Sequence, residues 1–171
     1  LSVLLPLGKL ILTAFIATVI FVVVTYLPII KLIGMKISDY LKGAFEPWLI
    51  AFTTCSSAAA LAVNLEASRK MGASKAIASF AIPLGNTINM NGTSIYMGVT
   101  AVFAAEVFGI DLTLTQQFQI VLMGVLAAVG TAGVPGAGLI MTTLVFTEVG
   151  IPLEAVALIA GIDRILDMIR T

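Results

Sequence analysis

Three ionisable side chains near the carboxyl end of the sequence have types and a spacing that could bind a small charged molecule. Asp163, Asp167 and Arg170 follow one another at i, i+4 and i+7, so an α-helix places them on one face. The planar guanidinium of Arg170 suits a carboxylate held by two hydrogen bonds, and the carboxylate of Asp167 suits an ammonium. These two groups could hold opposite ends of an acidic amino acid. Asp163 could instead form a structural ion pair with Arg164 or Arg170, and it is assigned no ligand role.

The composition surrounding these charges is that of a membrane protein. The chain has 171 residues, of which 60% are hydrophobic and 11% are charged, and its mean hydropathy is +1.13. Soluble domains carry about 25% charged residues, so the sequence predicts an all-α membrane protein in a lipid bilayer. Nine basic and nine acidic residues balance, which leaves no positive excess for nucleic acid. The absence of histidine excludes a Ser-His-Asp triad, a histidine-bound zinc and a histidine proton relay.

The charged residues leave four long uncharged intervals. These are residues 10–30, 47–65, 76–105 and 112–147. A spanning helix needs about 20 apolar residues, and the first interval supplies them, so a transmembrane helix is predicted over 1–33.

The second and fourth intervals are interrupted in the middle. Thr53–Ser57 divides the second into two apolar arms too short to span, and Gly130–Gly138 places four glycines and a proline in the fourth. Glycine costs a helix about 1 kcal/mol and proline about 3 kcal/mol relative to alanine. This pattern predicts re-entrant helical hairpins over 44–72 and 112–147, whose tips face protein or a watery cavity.

The signs of the loop charges support this topology. If the second and fourth intervals enter and leave by the same face, six basic residues lie together in the cytoplasm and the loops holding four acidic residues lie outside, as the positive-inside rule requires. The basic set is Lys31, Lys36, Lys42, Arg69, Lys70 and Lys75; the acidic set is Glu106, Asp111, Glu148 and Glu154. Lys9 is the one exception.

The third interval and the last segment complete two similar halves. The polar stretch 83–93, with three asparagines, predicts a broken transmembrane helix over 75–107, whose freed carbonyl and amide oxygens suit Na⁺-type cations. The segment 151–171 is predicted as the start of the last transmembrane helix. Each half is therefore a hairpin followed by a helix with polar residues at mid-depth. The two halves enter the membrane from opposite sides. Such inverted repeats are typical of transporters, which bind substrate at the midplane.

Four motifs in this order and spacing resemble the glutamate/aspartate transporter homologues of the dicarboxylate/amino acid:cation symporter family. They are Ser56-Ser57, Asn89-Met90-Asn91-Gly92-Thr93, Gly130–Gly138 and Asp163–Thr171. The resemblance implies part of the mobile transport domain of an elevator-type homotrimer, with the scaffold domain absent. It implies a multi-pass protein of the cell membrane, most simply a bacterial or archaeal inner membrane, and not an enzyme. Because the chain begins without methionine and ends within a helix, we expect it to be part of a longer protein.

The resemblance also implies roles for individual residues. The substrate would contact Arg170, Asp167, Thr171 and Thr93 and the backbone of Ser57, Val134 and Gly138. Backbone oxygens of Gly85 and Asn89 would bind one sodium ion, and those of Thr87, Val129 and Thr131, near the Met90 sulfur, another. Asn91 stands where the family usually has an aspartate that binds a further sodium. A neutral amide weakens that site, so the number of ions is left open.

Several alternatives remain at this stage. Asn89 and Asn91 could simply join helices by hydrogen bonds, Ser56-Ser57 could bond back to its own helix, and Gly130–Gly138 could be an ordinary loop. The leading function is symport of aspartate or glutamate with Na⁺ and no other cofactor, with H⁺ as a possible coupling ion. The close alternatives are a carrier of C4-dicarboxylates, which lack the amino group, and a relative driven by protons. A passive ion channel does not explain the Asp167 and Arg170 pair, and a serine hydrolase lacks a general base.

Overall fold

The computed structural model describes residues 4–171, and each regular element within them is helical. The α-helices are α1 (Leu4–Phe21), α2 (Leu27–Leu32), α3 (Ile37–Thr54), α4 (Ser57–Lys70), α5 (Lys75–Ile88), α6 (Asn91–Val107), α7 (Leu114–Val129), α8 (Ala137–Val149), α9 (Glu154–Ala160) and α10 (Asp163–Arg170). A π-helical turn, Val22–Tyr26, joins α1 to α2.

α1, the π turn and α2 form one continuous helix. The segment Leu5–Leu32 of this helix has 28 residues and is long and apolar enough to cross a membrane. This agrees with the helix predicted over 1–33, of which residues 1–3 lie outside the described residues. Pro28 lacks the N–H that would continue the helical ladder, and the helix widens into the π turn directly before it.

Two pairs of helices meet at short non-helical links. α3 packs against α4, and α7 packs against α8. In the first pair Cys55 adopts a left-handed conformation with φ 54°, and the Ser56 hydroxyl caps α4 by accepting a hydrogen bond from the Ala59 N–H at 3.1 Å. α3 begins at Ile37, earlier than the predicted start at residue 44, and continues through Pro47.

The predicted broken helix is interrupted at Asn89 and Met90, which separate α5 from α6. The last segment differs from its prediction as a single helix, because Gly161 and Ile162 interrupt it between α9 and α10. Glycine weakens the helix there, and Asp163 in the first turn of α10 favours a new helix start through the helix dipole.

α6 lies at the centre of the fold and contacts α1, α7, α8 and α10. Its buried alanines, such as Ala101 and Ala104, allow neighbouring helices to approach closely, and Tyr96 and Met97 fill the space between them. α10 packs against α1, α3 and α6. The short charged helix is therefore held between the first helix pair and the start of α6.

Candidate functional site

A cavity of about 940 Å³ opens where both helix-pair links, the break between α5 and α6, and α10 come together. All seven predicted substrate-binding residues line it: Ser57, Thr93, Val134, Gly138, Asp167, Arg170 and Thr171. They come from four separate segments of the chain, which the fold brings to one place.

Arg170 is the main cation of the cavity. Its side chain is only 3% exposed; Nε donates to Asp167 Oδ1 at 2.8 Å and Nη1 donates to Asp163 Oδ1 at 3.2 Å. The guanidinium also lies over the Tyr96 ring, 4.1 Å from its centroid. Nη2 is buried and has no hydrogen-bond partner among residues 4–171. A buried charged donor without a partner is costly, so this atom marks a place for an acceptor.

The two carboxylates are buried and each has further donors. The Tyr96 hydroxyl donates to Asp163 at 2.9 Å. The Gly136 N–H donates to Asp167 Oδ2 at 2.8 Å and the Thr171 hydroxyl donates to Asp167 Oδ1 at 3.1 Å. Neither Tyr96 nor Gly136 is among the site residues predicted from the sequence. Glycine suits position 136 because φ is 78° there, a conformation that a side chain disfavours.

The links of the two helix pairs contact each other directly. The Ser56 hydroxyl and the Ala58 N–H both donate to the Gly133 carbonyl, at 2.8 and 3.1 Å. A Cβ on Gly133 would overlap the Ser57 hydroxyl. The glycine-rich segment between α7 and α8 therefore approaches α4 more closely than a residue with a side chain would allow.

Glycines also set the position of Arg170. A Cβ on Gly138 would lie 2.8 Å from Arg170 Cζ, and a Cβ on Gly92 would lie 2.9 Å from Arg170 Cα. Real Cβ atoms do not approach other atoms so closely. The start of α6 and the start of α8 thus hold the arginine between them.

The predicted cation ligands divide into two sets. Gly85, Asn89, Met90 and Thr131 line the cavity, whereas Thr87 and Val129 do not. Within residues 4–171 no backbone N–H donates to the carbonyl oxygens of Thr87, Asn89, Val129 or Thr131. The Gly85 carbonyl accepts from the Asn89 N–H at 2.9 Å. Carbonyl oxygens left without donors by a broken helix are suitable ligands for a hard cation.

Asn91 makes the contacts expected of an interhelical amide. Its Nδ2 donates to the Tyr26 hydroxyl at 2.8 Å and to Asn89 Oδ1 at 2.6 Å. Arg164 does not pair with Asp163; its Nη2 donates to the Thr54 carbonyl at 3.4 Å, at the end of α3.

The sequence profile of the sodium:dicarboxylate symporter family matches residues 1–171. The chain belongs to the sodium:dicarboxylate symporter family. This confirms the family resemblance seen in the sequence, and it makes the chain a membrane protein of a transporter family.

Individual members of the family are similar over nearly the whole chain. A proton/sodium-glutamate symport protein of Geobacillus stearothermophilus is 38% identical over 168 residues, covering 98% of this chain and 40% of the relative. A proton/glutamate-aspartate symporter of Escherichia coli is 36% identical over 97% of this chain and 38% of its own length. A C4-dicarboxylate transport protein of Bacillus subtilis is 39% identical over 94% and 38%. The chain thus spans about two fifths of the length of these relatives.

Proposed function

We propose that this chain is the substrate-binding part of a longer, multi-pass symporter of the bacterial or archaeal inner membrane. That protein would carry an acidic amino acid across the bilayer together with cations, and it would not be an enzyme. The observation that carries the proposal is the buried Nη2 of Arg170, which has no hydrogen-bond partner among residues 4–171 although its side chain lines the cavity beside Asp167.

The chemistry of these two groups selects the substrate class. A carboxylate can accept from Arg170 Nη2 without displacing the bonds that Nε and Nη1 make to the aspartates. An ammonium can be held by Asp167, whose Oδ2 is fixed by a hydrogen bond from the Gly136 N–H. Thr93 and Thr171 supply hydroxyls at the same cavity. Aspartate or glutamate satisfies all of these groups.

The charge of the site supports cotransport of cations. Asp163 and Asp167 carry two negative charges against the single positive charge of Arg170. An acidic amino acid brings a further net negative charge into a buried place where uncompensated charge costs several kcal/mol. Na⁺ bound by the free carbonyls of Thr87, Asn89, Val129 and Thr131 would offset this cost, and H⁺ could do so in a proton-coupled relative.

We further infer that the two helix pairs are re-entrant hairpins whose contacting links enclose the substrate. The direct hydrogen bonds to the Gly133 carbonyl support this inference. The chain would then be the moving part of an elevator-type transporter, working in a homotrimer whose scaffold lies in other parts of the longer protein.

The proposal is tested by uptake of radiolabelled aspartate into proteoliposomes that contain the longer protein. Na⁺, H⁺ and K⁺ gradients should be imposed separately. We expect concentrative uptake that requires an inward Na⁺ or H⁺ gradient. Uptake that only equilibrates aspartate, whatever gradient is imposed, would exclude symport and favour a passive pathway.

A C4-dicarboxylate is the second candidate substrate, because the Bacillus subtilis C4-dicarboxylate transport protein is among the similar proteins. Asp167 distinguishes the two candidate substrates, because only the acidic amino acid has an ammonium for it to bind. Asp167→Asn should weaken aspartate binding about 10- to 100-fold, as expected for loss of a hydrogen bond to a charged group. Binding of succinate, which lacks the amino group, should be weakened by less, because succinate loses only the ion pair that Asp167 makes with Arg170. Competition with labelled substrate measures both. Asp111→Asn, at an exposed position, is the control, and equal losses for both ligands would remove the ammonium role from Asp167.

Cysteine labelling tests the membrane topology. Ser74 and Thr113 are exposed N-cap residues of α5 and α7. Single cysteines at these positions, in a background with Cys55→Ser, should react with a membrane-impermeant reagent from opposite sides in right-side-out and inside-out vesicles. Labelling of both from one side would contradict the re-entrant arrangement.

A further inference from the structure

A small polar cluster joins the first helix to the break between α5 and α6. It consists of Tyr26, Asn89 and Asn91, and all three residues line the edge of the cavity. Asn91 Nδ2 donates to the Tyr26 hydroxyl at 2.8 Å and to Asn89 Oδ1 at 2.6 Å. The substrate contacts proposed above use none of these side-chain atoms.

The orientation of the Asn91 amide decides what the cluster can bind. Both hydrogens of Nδ2 are used, one toward each neighbouring oxygen, so the amide presents donors to the centre of the cluster. The reverse orientation would bring the Asn91 oxygen close to Asn89 Oδ1, and two acceptors repel. The Tyr26 and Asn89 oxygens each accept one hydrogen bond from this neutral amide, and the partly positive Nδ2 hydrogens that lie between them would repel a cation at that place.

The π turn places the tyrosine in the cluster. Tyr26 is the last residue of Val22–Tyr26, and its ring packs edge-to-face on Phe21 with centroids 5.3 Å apart. A π turn shifts the register of the helix that follows it. The hydroxyl is thereby held against Asn91 at the first residue of α6.

We propose that the amide of Asn91 takes the place of a bound cation between the first helix and the helix break. Neutral hydrogen bonds hold this position together, so it adds no ion to the transport cycle. The inference rests on the proposed symport. Asn91 touches neither substrate nor ion in this proposal, and it determines how many cations accompany one substrate.

The decisive variant is Asn91→Asp in the longer protein. It removes both donors, adds a negative charge, and leaves the oxygens of Tyr26 and Asn89 free to bind an ion. We expect uptake of aspartate to depend more steeply on Na⁺ concentration, with the Hill coefficient raised by about one. Adding Tyr26→Phe to this variant should return the slope to that of the unmodified protein.

Two further variants serve as comparisons. Asn64→Asp introduces the same charge at another asparagine that lines the cavity, and it should leave the slope unchanged. Asn91→Leu removes the hydrogen bonds without adding charge; it should slow uptake and leave the slope unchanged. A lower slope in Asn91→Leu would show that Asn91 itself binds an ion, which would overturn the proposal.

A second measurement does not depend on transport. The melting temperature of the purified Asn91→Asp protein should rise in NaCl relative to choline chloride by more than that of the unmodified protein. An equal rise in both proteins, together with equal slopes, would overturn the proposal. If the unmodified protein shows no aspartate uptake, the proposed function fails, and the melting measurement still decides whether this position gains a cation site.

Discussion

Replacing Arg170 with alanine should weaken binding of aspartate by at least about 100-fold. The guanidinium carries the unpartnered donor Nη2 and also forms ion pairs with Asp163 and Asp167, which are buried. Removing one partner of a buried ion pair costs about 3–5 kcal/mol, because the remaining charge is left uncompensated. Isothermal titration of the purified longer protein with aspartate measures this loss.

Two comparisons separate binding from folding in this experiment. Arg69→Ala removes a guanidinium from an exposed position on α4, and it should change neither affinity nor stability. Neutral amino acids, which have no side-chain carboxylate, should lose less affinity than aspartate in Arg170→Ala. Aspartate affinity equal to that of the unmodified protein would exclude Arg170 as the carboxylate ligand.

Replacing Gly92 with alanine should disrupt the site almost as strongly, although residue 92 carries no functional group. The new Cβ would overlap the Arg170 carbonyl oxygen and lie 2.9 Å from Arg170 Cα and 3.0 Å from its carbonyl carbon. These are backbone atoms, so relief requires α10 to move away from α6. Overpacking of this kind typically costs 1–3 kcal/mol, and the displacement of Arg170 adds to it. We expect aspartate affinity to fall about tenfold or more, with a lower melting temperature.

The same helix provides a matched control. Gly98 also lies on α6, and a Cβ there would have no atom within 4 Å. Gly98→Ala should be neutral or slightly stabilising, because alanine favours a helix interior over glycine by about 0.5–1 kcal/mol. Similar behaviour of the two variants in binding and melting would show that close approach of α6 to Arg170 is not required.

Much of the helical pattern could be predicted from residue types. Long uncharged stretches indicate membrane-spanning segments, because charged residues are costly inside a bilayer. In the structure, Leu5–Leu32 is a continuous apolar helix long enough to span. Helix breaks follow from local chemistry as well. Asn89 and Met90 are non-helical within the polar stretch 83–93, and the glycine-rich segment separates α7 from α8. The interruption at Gly161 and Ile162 was missed, because one glycine is a weak signal.

The partners of the charged residues could not be predicted in the same way. Helical spacing places Asp163, Asp167 and Arg170 on one face, but it does not say which of them pair. Nor does it reveal that the Tyr96 hydroxyl and the Gly136 N–H reach the two carboxylates. Those donors lie 67 and 31 residues away along the chain, and no local pattern connects them.

The sequence by itself determined the class of protein, the helix breaks within 53–57, 83–93 and 130–138, and the types of group offered to a substrate, because these depend on composition and on local backbone preference. The tertiary structure alone decided which atom of Arg170 stays free, that Asn91 donates to Tyr26, and that Gly92 and Gly133 stand where a side chain would not fit. These facts depend on distances between segments far apart in the chain. Packing of α10 against α3 and α6, of α1 against α6, and of one helix-pair link against the other sets those distances, and with them the chemistry that the cavity can support.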